Sequence, residues 1–105
     1  MGRIARRVGT VTGPDPYLIE RIAPHAANYL RRLPRDQQEA IAEALDYLCD
    51  TSPFHHSNPT VIRPLKGKYK GQWRYRLGKI RIVYLVNNDS RTIRISAIDN
   101  RGDVY

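Results

Sequence analysis

Alternation of side chains in residues 72–77 is the feature that most constrains the fold. Trp73 and Tyr75 fall on one face of an extended segment, whereas Arg74 and Arg76 fall on the other. A period of two is typical of a β-strand with one buried face and one face in solvent. The sequence therefore predicts a strand whose aromatic face joins the core and whose arginine face stays open.

The residues after this strand predict two further strands. Gly78 and Lys79 have the composition of a tight hairpin turn. The β-branched and aromatic run at 80–86 predicts a central strand. Arg81 lies on one face of this strand, and the other face carries Ile80, Ile82, Tyr84 and Val86. A polar turn separates it from a last long strand at 92–98, which completes a three-stranded meander.

The residues before this meander predict a strand and two helices. Residues 17–22 have the composition of a short strand, and residues 23–50 show apolar positions at helical spacing, interrupted by Pro34. The predicted fold class is α+β, with an N-terminal strand and a helical hairpin packed on one face of a small antiparallel sheet. We assign residues 1–16 to a flexible basic arm and residues 17–105 to one domain.

The net charge of the chain lies entirely on the predicted sheet. Residues 61–105 hold eleven Lys and Arg against three Asp, which accounts for the whole formal charge of +8. Residues 62–81 contain eight of these cations and no acid. Like charges packed so closely repel one another and favour a polyanionic partner. Nucleic acid is the commonest such partner, because a Lys or Arg on a phosphate releases a condensed counterion.

Several classes of protein are disfavoured by the composition. Cys49 is the only cysteine, so an intramolecular disulfide framework is excluded and a reducing, cytoplasmic location is expected. The chain has no apolar stretch near the ~20 residues of a membrane span, so no membrane partner is expected. His55, His56 and Cys49 offer too few ligands, at the wrong spacing, for a structural zinc site. We expect no metal and no cofactor.

Three segments together resemble a known family. Residues 64–84 read PLKGKYKGQWRYRLGKIRIVY, residues 30–34 read LRRLP, and the chain closes on RGDVY. This combination resembles the RelE/ParE superfamily of toxins from bacterial type II toxin–antitoxin systems, over about residues 17–105. The resemblance implies a RelE-like, microbial-RNase-type fold. It also implies a cognate antitoxin as partner, which would form a hetero-oligomer with the toxin.

Two activities are known in this superfamily. RelE-like members are metal-independent endoribonucleases that cut mRNA in the ribosomal A site, which would make the ribosome and mRNA partners and arrest translation. ParE-like members instead inhibit DNA gyrase and lack the basic catalytic set. We favour the hypothesis that this chain is a RelE-like endoribonuclease. The alternatives are a ParE-like gyrase inhibitor and a non-catalytic RNA-binding relative.

The resemblance implies roles for individual residues. Arg74 and Arg76 match two basic strand positions of the RNases, and Arg81 matches the arginine that stabilises the phosphate. Arg101 matches the arginine proposed as general acid, and Tyr105 matches the terminal tyrosine that orients or deprotonates the 2′-hydroxyl. The four lysines of the region are predicted to contact phosphate, with the antitoxin as the alternative for the first three: Lys66, Lys68, Lys70 and Lys79.

The sequence departs from the family pattern at two points. Arg74 and Arg76 replace a lysine pair, and Asp99-Asn100 replaces a Gly-His pair found in many relatives. Guanidinium forks stabilise a charged phosphoryl group well, but Tyr and Arg are poor proton-transfer groups at neutral pH. The sequence therefore predicts slow cleavage of free RNA, with the ribosome aligning the substrate.

Overall fold

The computed structural model describes residues 16–100 and places two helices on one face of a five-stranded sheet. The predicted α+β class is confirmed. Arg101, Tyr105 and residues 1–15 of the predicted arm lie outside the described residues. The strands are β1 (Leu18–Ile22), β2 (Ile62–Pro64), β3 (Trp73–Leu77), β4 (Ile80–Asn87) and β5 (Thr92–Asn100), and the helices are α1 (Pro24–Arg32) and α2 (Arg35–Asp50).

The strand order is β1-β5-β4-β3-β2, and every pairing except the first is antiparallel. β1 lies in the sheet itself, at its edge and parallel to β5, with Leu18 opposite Thr92. The sequence predicts this strand but not its partner. The parallel pairing brings the first and last described strands together, and α1 and α2 lie between β1 and β2 in the chain.

The core lies between the helices and one face of the sheet. Its apolar side chains come from α2 and from the three central strands, because their apolar positions recur at helical spacing and at alternate strand positions respectively. Burying one such side chain completely stabilises the fold by about 1.5–3 kcal/mol. The largest fully buried members are Ile41, Leu48, Ile82, Tyr84, Ile93 and Ile95.

Gln38 closes the end of α1. Its side-chain Nε2 lies 3.0 Å from the carbonyl oxygen of Leu30, 3.2 Å from that of Arg31 and 3.1 Å from that of Leu33. The last carbonyls of a helix have no partner inside the helix, so the amide of α2 supplies one. This contact fixes the short connection between the helices.

Replacing Gln38 with alanine is expected to lower the free energy of unfolding by about 1 kcal/mol, because the carbonyls that end α1 lose a donor. Urea denaturation measures the loss. Gln37→Ala is the matched control, since the exposed side chain of Gln37 makes no hydrogen bond in the described part of the chain. Equal losses in the two variants would contradict a capping role for Gln38.

Cys49 is buried at the end of α2, as a packed rather than an exposed thiol.

Neither helix within residues 16–100 has the length and apolar character needed to cross a membrane.

Candidate nucleic-acid interface

The β3–β4 hairpin places three arginines on the face of the sheet that the helices leave open. Arg76 lies opposite Arg81, and Arg74 lies opposite Val83. Residues opposite each other in an antiparallel pair share a face. Tyr75, between the two β3 arginines, is buried in the core on the other face. The predicted alternation is therefore confirmed, and the three guanidinium groups belong to one surface.

Arg74 and Arg76 converge on Thr60, in the loop before β2. Arg76 donates from Nη2 to Thr60 Oγ1 at 2.7 Å and from Nε to the Thr60 carbonyl at 3.4 Å. Arg74 donates from Nη2 to the same carbonyl, and it lies 3.5 Å from the carbonyl of Val61. Neutral oxygens, not carboxylates, hold the two groups, so both keep their charge available to an anion.

Arg81 is held at the hairpin turn. Its Nη1 donates to the carbonyl oxygen of Gly78 at 3.0 Å and lies 3.4 Å from that of Ile80. Gly78 has a φ of 61°, a left-handed conformation that glycine adopts without steric cost. Arg81 thus lies on β4, and its guanidinium group is held by the hairpin turn. The guanidinium groups of Arg74 and Arg76, on β3, are held by the loop before β2.

A carboxylate lies on the strand that pairs with the strand of Arg81. Asp99 lies opposite Arg81 in the β4–β5 pairing, and its Oδ1 accepts from the backbone N–H of Asn100 at 2.6 Å. Arg81 therefore has an acidic residue opposite it on the neighbouring strand, although residues 62–81 contain no acid. Asp99 makes no ion pair within the part of the chain that the structure describes.

A β-bulge brings Asp99 to this face. The β4–β5 register shifts between Val83 and Tyr84, and Ser96 is the extra residue on β5. Ser96 Oγ lies 2.8 Å from Gln72 Oε1 and 3.1 Å from the carbonyl of Val83, which ties the bulge to β4 and to the residue just before β3. Simple alternation from Ile95 would turn Asp99 into the core; the bulge reverses the faces beyond it.

The centre of the open face is apolar. Val83 and Ala97, which lie opposite each other, are buried but do not belong to the core cluster beneath the helices. Arg74, in register with Val83, has a buried Nε with no hydrogen-bond partner among residues 16–100. Its stem lies against the sheet, and it reaches Thr60 only through its terminal nitrogen. The arginine stems therefore serve as cover for apolar surface as well as carriers of charge.

The predicted lysines form two groups at opposite ends of β3. Lys79 is exposed at the hairpin turn beside Arg81. The other three are exposed around a short 3₁₀ helix at the opposite end of the strand, bounded by Gly67 and Gly71, both at positive φ. These three are Lys66, Lys68 and Lys70, and the Nζ atom of Lys68 lies 5.5 Å from the ring centroid of Tyr69.

β5 ends at Asn100, opposite Ile80, so the described chain ends beside Arg81. The predicted roles of Arg101 and Tyr105 lie outside the described residues and stay predictions. The structure thus brings together Arg74 and Arg76 on β3, with Arg81 on the paired strand β4 and Lys79 in the turn of the same hairpin.

The loop from His56 to Thr60 is the part of this surface that sequence reasoning missed. The sequence predicts that His55 and His56 are both solvated. His55 is exposed, but the half-buried ring of His56 lies 4.9 Å from the ring of Tyr47 and 6.0 Å from that of Tyr75. Its Nδ1 accepts from the backbone N–H of Asn58 at 3.0 Å. No group of three or more His, Cys, Asp or Glu within residues 16–100 could hold a metal ion.

Two tyrosines beneath the arginines stay protonated at physiological pH. Burial raises the pKa of Tyr84 far above its ordinary value, and the nearby Tyr75 adds to the effect, whereas the charge of Arg74 partly opposes it. Burial also raises the pKa of Tyr75, with a smaller contribution from Tyr47. Neither phenol can accept a proton at neutral pH, so neither is a candidate base.

The comparison of the sequence with models of protein families identifies one family. The sequence model of the family described as the ParE toxin of the type II toxin–antitoxin system parDE matches residues 21–105. No curated protein matches the sequence.

Solved structures of toxins share the fold. The archaeal RelE–RelB complex from Pyrococcus horikoshii OT3 is 25% identical, with a TM-score of 0.65, and the match covers 85% of this chain and 98% of that chain. The toxin–antitoxin complex RelBE2 from Mycobacterium tuberculosis is 24% identical, with a TM-score of 0.58 and coverages of 87% and 98%. The YoeB/ParE toxin from Agrobacterium tumefaciens is 19% identical, with a TM-score of 0.65 and coverages of 80% and 96%.

Proposed function

We propose that this chain, which belongs to the ParE toxin family of type II toxin–antitoxin systems and is thus a toxin with a cognate antitoxin, acts as an endoribonuclease. It cleaves mRNA on the ribosome, without a metal ion, and so arrests translation in the cytoplasm. The convergence of Arg74 and Arg76 on Thr60, with Arg81 opposite Arg76, is the observation that supports this activity best.

The reaction needs charge stabilisation above all. The 2′-oxygen of one nucleotide attacks the adjacent phosphorus, the 5′-oxygen leaves, and a 2′,3′-cyclic phosphate and a 5′-hydroxyl are formed. Arg74, Arg76 and Arg81 bind the non-bridging oxygens and stabilise the phosphorane. One well-placed donor of this kind contributes roughly 3 kcal/mol. Tyr105 takes the proton of the 2′-hydroxyl and Arg101 supplies one to the leaving oxygen.

Lysines extend the RNA path on either side of the reacting phosphate. Lys79 contacts the backbone beside Arg81, and the other three contact it beyond the far end of β3: Lys66, Lys68 and Lys70. All four are exposed, so their contribution is to affinity and to its dependence on salt rather than to chemistry.

The antitoxin neutralises this surface. The positive face of the sheet suits an acidic segment that orders on binding. The M. tuberculosis and P. horikoshii relatives were solved as toxin–antitoxin complexes. We propose that the cognate antitoxin covers the three arginines and thereby blocks access of RNA.

The second candidate function is inhibition of DNA gyrase, which the match to the ParE toxin family favours. Gyrase inhibition requires a protein-binding surface and no cluster of phosphate-binding arginines. A third reading, an RNA-binding relative without catalysis, would keep the arginine cluster but release no cleaved product.

Induced expression separates these functions. We expect wild-type protein to arrest translation and to leave new 5′-hydroxyl ends in mRNA, mapped by primer extension, while plasmid supercoiling by purified gyrase continues. Arg81→Ala should lower cleavage by about a hundredfold, since it removes one stabilising donor.

Arg35→Ala is the control, because it removes the same charge from the exposed start of α2, away from the open face. Loss of supercoiling with intact mRNA would favour gyrase inhibition. Full toxicity of Arg81→Ala would contradict the proposed role of Arg81.

A further inference from the structure

A chain of hydrogen bonds links the ring of His56 to two of the proposed phosphate-binding arginines. We infer that Thr60 is a positioning residue, which holds the guanidinium groups of Arg74 and Arg76 in the orientation that binds phosphate. His56 and Asn58 fix Thr60 in turn. This inference rests on the proposed function, in which the two arginines bind the RNA backbone.

The links of this chain are short and complementary. Asn58 donates its backbone N–H to His56 Nδ1 at 3.0 Å. Thr60 donates to Asn58 Oδ1 from its backbone N–H at 3.0 Å and from its hydroxyl at 2.8 Å. The hydroxyl has one proton, which forms the hydrogen bond to Asn58 Oδ1. Its oxygen is therefore an acceptor towards Arg76, whose Nη2 lies 2.7 Å away.

The other end of the chain is anchored in the core. The His56 ring packs between Tyr47 of α2 and Tyr75 of β3. The hydroxyl of Tyr47 donates to the carbonyl oxygen of His55 at 2.8 Å. Asn58 and Thr60 are themselves exposed, so these contacts are what give the loop a fixed position relative to the sheet.

Thr60 orients the guanidinium groups without using up their donors. A guanidinium group has five N–H bonds. Arg76 uses Nε and Nη2 towards Thr60, and Arg74 uses Nη2. Within residues 16–100 neither Nη1 group donates to another residue, so both can still reach a phosphate. Long side chains lose rotamer freedom when they bind, and prior orientation removes part of that cost.

The test compares two substitutions at Thr60. Thr60→Val keeps the shape but removes the hydroxyl, and Thr60→Ser keeps the hydroxyl. The probe is a short single-stranded RNA with 2′-O-methyl groups, which cannot be cleaved. We expect Thr60→Val to bind it about threefold to tenfold more weakly, as the loss of prior orientation predicts, and Thr60→Ser to bind it like the wild type. Equal or tighter binding by Thr60→Val would overturn the inference.

A second readout does not depend on RNA. The Nε–Hε signal of Arg76 in ¹⁵N NMR spectra of the free protein should shift and exchange faster in Thr60→Val, and Thr60→Ser should restore it. His56→Phe, which keeps a ring but loses the acceptor, should shift the same signal through Asn58. An unchanged Arg76 signal in Thr60→Val would refute the positioning role. Failure of the wild type to bind RNA would instead refute the proposed function, and the NMR comparison would still decide the orientation of Arg76.

Discussion

Replacing Arg74 and Arg76 together with glutamine is expected to lower mRNA cleavage by about a thousandfold and to leave the fold at least as stable. A single well-placed donor contributes about 10²–10³ to the rate. The two groups share Thr60 and would share one phosphate, so their effects should not simply multiply.

The expected stability has a separate physical reason. Arg76 lies opposite Arg81, and like charges directly across a strand pair destabilise a sheet. The buried Nε of Arg74 has no hydrogen-bond partner within the described residues, which also costs stability. Removing both groups should therefore raise the free energy of unfolding by up to about 1 kcal/mol. Opposite changes in activity and stability are typical of functional residues that the fold itself does not need.

Primer extension on ribosome-bound mRNA measures the activity of this double variant, and urea denaturation measures its stability. Arg32→Gln/Arg35→Gln is the matched control, since it removes two charges from exposed positions on the helices. If the control loses as much activity, net charge rather than the arginine surface is responsible. If the β3 variant unfolds more easily, the two arginines serve the fold.

The local part of the fold follows from the sequence, whereas its long-range pairing does not. Alternation around Tyr75 fixes which face of β3 is buried, because a slip by one residue would expose every apolar side chain. No comparable pattern links β1 to β5. Leu18 and Thr92 are far apart in sequence, and the parallel pairing depends on where the helices return the chain.

The candidate site shows the same division. The open face of Arg74, Arg76 and Arg81 follows from alternation within one hairpin. Asp99 lies opposite Arg81 because of the bulge in β5. The sequence around Ser96 does not indicate that Ser96 is the extra residue.

The role of Thr60 depends on loop geometry and on side-chain orientation. Arg74 and Arg76 reach Thr60 across 14 and 16 positions of the chain. Ser, Asn and Pro in this segment predict a loop, but they do not predict which of its oxygens faces the sheet. Only the packing of His56 between two tyrosine rings fixes that direction.

Tyr84→Phe is expected to lower the free energy of unfolding by about 2 kcal/mol at neutral pH, because the carbonyl of Pro53 would lose its donor in a buried site. The Tyr84 hydroxyl donates to that oxygen at 2.7 Å, and the Tyr84 side chain is fully buried. Tyr29→Phe is the control, since Tyr29 is half-buried and its hydroxyl makes no hydrogen bond within residues 16–100. Urea denaturation of the three proteins measures the difference, and equal losses would contradict the role of the Pro53 contact.

The same variant should also change the response to alkaline pH. Burial raises the pKa of Tyr84 in the folded state, so above pH ~10 the unfolded chain loses this proton while the folded chain keeps it. The contribution of the protonated Tyr84 to the free energy of unfolding is complete below the pKa of tyrosine in the unfolded chain. It falls as pH rises above that value, by about 1.4 kcal/mol per pH unit for one group. Tyr84→Phe lacks this slope, so the two stability curves should converge above pH ~10 and meet between about pH 11 and 12. Tyr75, whose pKa is also raised, contributes equally to both curves and cancels. Parallel curves would show that Tyr84 ionises as readily in the folded protein as in the unfolded chain.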